Sequence, residues 1–132
     1  MKRNAMYILP IPKFFSQFGG VGGHIAHVYG ITRELTKLGY SLQIIAEESH
    51  QILQSLNSQL NILPLNKPTH FRRLVWGWEV IRQVSRSVKE MNPQFIYVRY
   101  SASFTPWIPL LKRVSGPKPL ILEVNSFATM DY

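Results

Sequence analysis

Gly19-Gly-Val-Gly-Gly-His-Ile-Ala-His27, then Ile31 and Leu35, then Gly39-Tyr-Ser-Leu-Gln-Ile-Ile-Ala46, is the stretch on which the fold turns. Ile25, Val28, Ile31, Leu35 and Leu38 recur at helical spacing, and Gly39 stands where a C-terminal cap belongs. The spacing predicts a helix over Gly22 to Leu38 whose first turn is glycine. Upstream, Ala5-Met-Tyr-Ile-Leu9 is a short apolar run ended by Pro10 and Pro12, which fits a buried first strand. Downstream, Ser41 to Ala46 reads as a second strand. The unit is strand, long glycine-rich loop, helix, strand.

The alternation continues along the chain. His50 to Asn57 reads as a short helix and Leu60 to Pro64 as a third strand. Thr69 is a candidate N-cap for a long helix to about Met91, with Phe71, Leu74, Val75, Trp78, Ile81, Val84 and Val88 on its apolar face. Asn92-Pro93 stops it. Gln94 to Val98 reads as the fourth strand and Thr105 to Val114 as a helix with Pro106 in its first turn, although Pro109 argues against its interior. Ser115-Gly-Pro117 breaks the chain, and Pro119 to Val124 reads as the fifth strand. Apolar strands alternating with helices over short links imply an α/β fold, a parallel sheet of about five strands with helices on both faces, in one domain over 1–132. Ligands in such sheets sit beyond the carboxyl ends of the strands. The segments to inspect are therefore Pro10 to Gly23, Glu47 to His50, Arg99 to Thr105, and Asn125 onward.

Composition narrows the chemistry. A chain of 132 residues that is 45% hydrophobic can bury roughly two thirds of its unfolded surface, so it needs no disulfide or metal staple. With no cysteine, disulfides, thiolate zinc sites and cysteine nucleophiles are excluded. His24, His27, His50 and His70 lie apart with no carboxylate at ligand spacing, so no metal site is expected. The apolar runs fall far short of the ~20 residues that span a bilayer, and Pro10 breaks the only stretch resembling a signal segment. Fifteen Lys and Arg against seven Asp and Glu give a formal charge of +8, which suits phosphate-bearing partners or an anionic membrane face.

The glycine loop fails two familiar tests. A phosphate loop of the GxxxxGK[ST] kind needs a lysine and a hydroxyl, whereas Gly23 is followed by His24-Ile25. A dinucleotide fingerprint needs GxGxxG directly after the first strand. Gly20-Val-Gly-Gly-His-Ile25 lacks the third glycine and begins about ten residues past Leu9. No cofactor is implied. What remains is bare backbone opening a helix, where amides attract a phosphate or diphosphate and absent side chains allow close approach. A glycine-rich turn packed against the sheet reads equally well from these residues alone.

Taken together, Gly22-Gly-His-Ile-Ala-His27 with Ile31, Leu35 and Gly39-Tyr40, Asn92-Pro-Gln-Phe-Ile-Tyr-Val-Arg-Tyr100, and Lys118-Pro-Leu-Ile-Leu-Glu-Val-Asn-Ser126 resemble the N-terminal half of family 4 glycosyltransferases. The resemblance covers nearly the whole chain, in order. It implies one Rossmann-like half of a two-domain GT-B enzyme, with this half mainly holding the acceptor. By the same resemblance Gly22 and Gly23 would approach the donor's diphosphate, and His27, Arg99, Tyr100, Asn125 and Ser126 would face the acceptor. Many members carry a histidine where Asn125 stands, and an amide cannot serve as acid or base near neutral pH. No residue of this chain is therefore assigned a catalytic role. The donor-binding half has no counterpart in these residues, so the isolated chain is expected to be inactive alone. The implied activity is retaining transfer from a nucleotide sugar to a sugar or lipid-linked acceptor, in polysaccharide or glycolipid assembly. The alternative is a stand-alone basic module that binds a nucleotide or anionic polymer without catalysis.

Two readings of individual residues stay open. Arg99 suits a bidentate grip on a phosphate or carboxylate, or an ion pair with Glu47, Glu48 or Glu123. Arg72, Arg73, Arg82, Arg86 and Lys89 accompany Phe71, Trp76 and Trp78 on the long helix, as in helices that lie on anionic headgroups. A solvated basic back to a core-facing stripe fits them as well. No nucleic-acid motif appears and none is expected as partner. The expected location is cytoplasmic, with contact at the inner membrane face.

Overall fold

The structure, a computed structural model, describes residues 3–10, 23–46, 58–62, 69–100 and 102–124. Among the described residues five parallel strands form one sheet: β1 (Arg3–Ile8), β2 (Tyr40–Ala46), β3 (Ser58–Ile62), β4 (Ile96–Arg99) and β5 (Leu120–Glu123), in the order β3-β2-β1-β4-β5. The α-helices described beside them are α1 (Gly23–Lys37), α2 (Thr69–Met91) and α3 (Ile108–Ser115), with a 3-10 segment, Ala102–Trp107, leading into α3. The arrangement is Rossmann-like. Strand order runs outward from β1 to β3, then resumes on the other side of β1 with β4, so the switch point lies between β1 and β4.

The alternation of side chains along β1 divides the core in two. Met6 and Ile8 face one side with Ile45, Ile96 and Val98, and are covered by Trp76, Val80, Ile81 and Val84 of α2, by Phe104 and by Leu111 of α3. Ala5, Tyr7 and Leu9 face the other side with Leu42, Ile44 and Ala46, under Val28, Ile31 and Leu35 of α1. All six residues from Ala5 to Pro10 are buried, as a central parallel strand covered on both faces requires.

The helix ends follow their local chemistry. Gly39, at φ +94°, closes α1 through its amide to the Thr36 carbonyl at 3.0 Å, which leaves Leu38 in the turn and exposed rather than on the apolar stripe. Asn92, at φ +50°, ends α2, and the Asn4 amide donates to the freed Met91 carbonyl at 2.7 Å. Pro109, read as an obstacle inside a helix, falls in the first turn of α3, where no amide is needed.

Some boundaries and one helix face differ from the sequence reading. β4 runs from Ile96 to Arg99, so Arg99 belongs to the strand and not to the loop after it. β3 begins two residues earlier than expected, paired to β2 from Ser58 against Leu42. On α2 the buried ridge is Trp76, Val80, Ile81, Val84 and Ser87, and Trp78, expected on that face, is 51% exposed. Trp78 follows the buried Trp76 by two residues, which turns it about 200° around the axis. The short helix expected over His50 to Asn57 lies outside the described residues.

Candidate functional site

The carboxyl edge of the sheet at the switch point gathers one polar cluster. Tyr7 is register partner to Tyr97, and Arg99 to Glu123, so two adjacent cross-strand pairs lie on the face that α1 covers. The Tyr7 and Tyr97 rings meet edge to face, their centroids 5.3 Å apart. The first helical turns of α1 bring His27 over the same place.

Glu123 is the hub. Its Oε1 accepts from an Arg99 guanidinium nitrogen at 3.1 Å, and its Oε2 accepts from the Tyr97 hydroxyl at 3.1 Å and from His27 Nε2. Three elements far apart in sequence, α1, β4 and β5, thus converge on one carboxylate. Arg99 is only 5% exposed, a charge that a protein interior tolerates only when paired. His27 has a side chain 46% exposed and forms the wet rim of the cluster. A carboxylate can only accept, so the proton between the two sits on Nε2, which leaves Nδ1 to face solvent as the ring's other polar atom.

The tyrosines carry the electrostatic signature of this arrangement. Burial, reinforced by the Glu123 charge, pushes the Tyr97 hydroxyl up to about 12. Tyr7, deeper, is raised further by burial and by Glu123, with the Arg99 charge opposing. Its hydroxyl lies beside Arg99 yet makes no hydrogen bond of ordinary geometry among the described residues. Both are neutral phenols at any physiological pH.

Of the seven residues singled out by sequence, the structure places Gly23, His27, Arg99 and Tyr100. It joins His27 and Arg99 through Glu123. Tyr100 turns away, its hydroxyl bonded to Thr105 Oγ1. Arg99 forms the ion pair with Glu123 that the sequence left open as one of its readings. Gly23 opens α1; Gly22, Asn125 and Ser126 lie outside the described residues. Sequence reasoning missed Tyr7, Tyr97 and the central role of Glu123. The available signals were the i, i+2 relation of Tyr97 and Arg99 on one strand face, and a lone acid closing the apolar run Pro119 to Val124.

Among the described residues no group of His, Asp and Glu is placed to hold a metal ion. None of the described helices is long and apolar enough to cross a membrane.

No family model matches the chain. No curated protein sequence matches it either. Solved structures do. A glycosyltransferase from Rickettsia africae superposes with a TM-score of 0.60 at 15% identity, covering 92% of this chain and 29% of the other. MurG from Acinetobacter baumannii superposes with a TM-score of 0.60 at 14% identity, covering 92% and 35%. The C-terminal domain of the PF1911 hydrogenase from Pyrococcus furiosus superposes with a TM-score of 0.61 at 10% identity, covering 93% and 92%. The chain spans about a third of the length of the two transferases it matches. At these identities the likeness concerns the fold alone, an α/β domain found in two glycosyltransferases and in a hydrogenase domain.

Proposed function

We propose that this chain is the acceptor-side domain of a nucleotide-sugar-dependent glycosyltransferase of the family 4 type, with transfer requiring a donor-binding domain supplied by another part of the polypeptide or by a second subunit. The observation that carries the reading is the cluster at the switch point. A solvent-facing imidazole is held by a carboxylate, which is itself anchored by a buried arginine, at the edge where open α/β sheets bind their ligands. Likeness to a fragment of two glycosyltransferases supports the same reading.

In this reading the chain orients rather than reacts. With Nε2–H fixed on Glu123, His27 Nδ1 accepts a hydrogen bond from an acceptor hydroxyl. The backbone amides opening α1, with Gly22 and Gly23, face the donor's diphosphate and stabilise its departing charge. The finer expectations belong to the proposal as well: retention at the transferred sugar, a sugar or lipid-linked acceptor, contacts from Tyr100, Asn125 and Ser126, and a cytoplasmic domain at the membrane's inner face. A second reading, a stand-alone binding module, is favoured by the hydrogenase domain, which this chain matches over nearly its full length.

The test is co-purification of the chain from its native cells, with transfer from a pool of labelled nucleotide sugars assayed on whatever complex is recovered. The expected result is a donor-binding polypeptide in stoichiometric amount and a labelled product. Replacing Gly22 by Trp should abolish that product while circular dichroism stays unchanged. Unchanged turnover in that variant would remove the diphosphate role. Recovery of the chain alone, without transfer, would favour the binding module.

A further inference from the structure

α3 is seated against α2 through one close contact. Gly77 has no side chain where a Cβ would overlap the Trp107 indole, so the ring that leads into α3 lies directly on the α2 backbone. Between the two helices runs a groove of about 490 Å³. Ile81, buried, and Val114, half-buried, give it an apolar floor, and Trp78, Arg82, Arg86 and Lys89 stand along its α2 wall.

Those four wall residues follow one another at intervals of three or four, so they form one exposed stripe about 16 Å long. Along the sequence, α2 and α3 together carry seven Lys and Arg against two Glu. Of these acids, Glu79 already pairs with Arg82 at 2.9 Å, and Glu90 borders the groove. Neither Arg86 nor Lys89 has an ion-pair partner among the described residues. The groove is thus apolar at its base and carries a positive excess at its lip.

Trp and Arg are the residues most concentrated at the centres of protein interfaces, and both stand here. Trp78, half in water, forgoes apolar burial that a partner's side chains would restore. A flat lipid surface would touch the lip and leave Ile81 and Val114 uncovered below it. A single nucleic-acid strand needs successive aromatic platforms, and the stripe offers one ring. We infer that the groove between α2 and α3 takes an acidic amphipathic helix of a partner protein. The apolar stripe of that helix fills the groove over Ile81, Val114 and the Trp78 indole, and carboxylates spaced about one turn apart meet Arg82, Arg86 and Lys89. A stripe of this length matches about three turns of helix. α2 follows β3 and precedes β4, so it runs antiparallel to the strands and its Arg86–Lys89 end lies toward their amino ends, away from the carboxyl-edge cluster. A partner seated here leaves that cluster open. The inference concerns another face and is read without turnover, so its failure and that of the sugar-transfer reading are distinct.

The experiment places the photo-crosslinker p-benzoylphenylalanine at Ser85, inside the groove, or at Arg33 on α1, in the whole chain in its native cells, and sequences the crosslinked peptides. Ser85 should give about tenfold more product than Arg33, joined to one protein segment of acidic net charge whose apolar residues recur at intervals of three and four. A synthetic peptide of that segment should bind the purified chain, and Arg86→Glu with Lys89→Glu should weaken it about tenfold. Exchanging the peptide's acids for lysine should restore binding to that variant. Trp78→Ala should also weaken the peptide about tenfold, with the urea midpoint of the chain unchanged, whereas Arg33→Glu with Lys37→Glu should change it less than about twofold. Crosslinks from Ser85 to lipid, to nucleic acid or to a second copy of this chain would overturn the inference. So would no product above the Arg33 level, a neutral or basic segment, or peptide binding indifferent to the charge reversal.

Discussion

Replacing Glu123 by Leu removes the hub of the switch-point cluster and leaves Arg99, 5% exposed, with its charge but without its carboxylate. Breaking a buried pair by deleting one partner costs about 3–5 kcal/mol. Glu123 is itself 14% exposed in its side chain, so some water reaches the vacated place and the expected cost is about 3 kcal/mol. Arg99→Met should cost less, about 2 kcal/mol, because Glu123 keeps Tyr97 and His27 as donors. The double variant loses both charges and gains apolar contact, so it should cost no more than about 2 kcal/mol, leaving a coupling of about 3 kcal/mol. Urea unfolding of the isolated chain, followed by circular dichroism, reads this directly: with a slope of about 1–3 kcal/mol per M, Glu123→Leu lowers the midpoint by about 1–3 M. A loss below about 0.5 kcal/mol, or costs that simply add in the double variant, would refute the claim that one desolvated pair organises this edge.

Two further outcomes follow from the geometry. The folded chain keeps protons on Tyr7 and Tyr97 that the unfolded chain releases near pH ~10, so stability is full below that and falls as pH rises toward 12. Urea midpoints measured across this window should decline in the wild type and decline less in Tyr7→Phe, and an equal slope in the variant would contradict the assignment. At Gly77 an added Cβ would overlap the Trp107 indole, so Gly77→Ala should lower stability by about 1–3 kcal/mol despite its better helix propensity, and a more stable variant in urea would show that the α2 contact with Trp107 yields freely.

Much of the architecture is legible in the sequence. Periodicity sets α1 and α2 to within a residue of their ends, because Gly39 and Asn92-Pro93 stop each helix by local chemistry alone. The apolar runs around Met6, Ile44, Val98 and Ile121 announce strands, and their alternation with helices requires a parallel sheet. His27 and Arg99 could be nominated from sequence because each stands beside a predicted strand end or helix start.

What the sequence could not decide was adjacency. His27 and Glu123 are separated by 96 positions, and only the order β3-β2-β1-β4-β5 brings α1, β4 and β5 to one carboxylate. The same holds for Trp76 and Trp78, both aromatic and both within a helical wheel. Which of them is buried depends on where Phe104 and Leu111 pack, a long-range fact that local pattern does not contain. Local chemistry acts over a few bonds and determined the elements. The pairing of charges, the exposure of an indole and the position of the crevice depend on how strands are ordered in the sheet, and only the tertiary structure decided those.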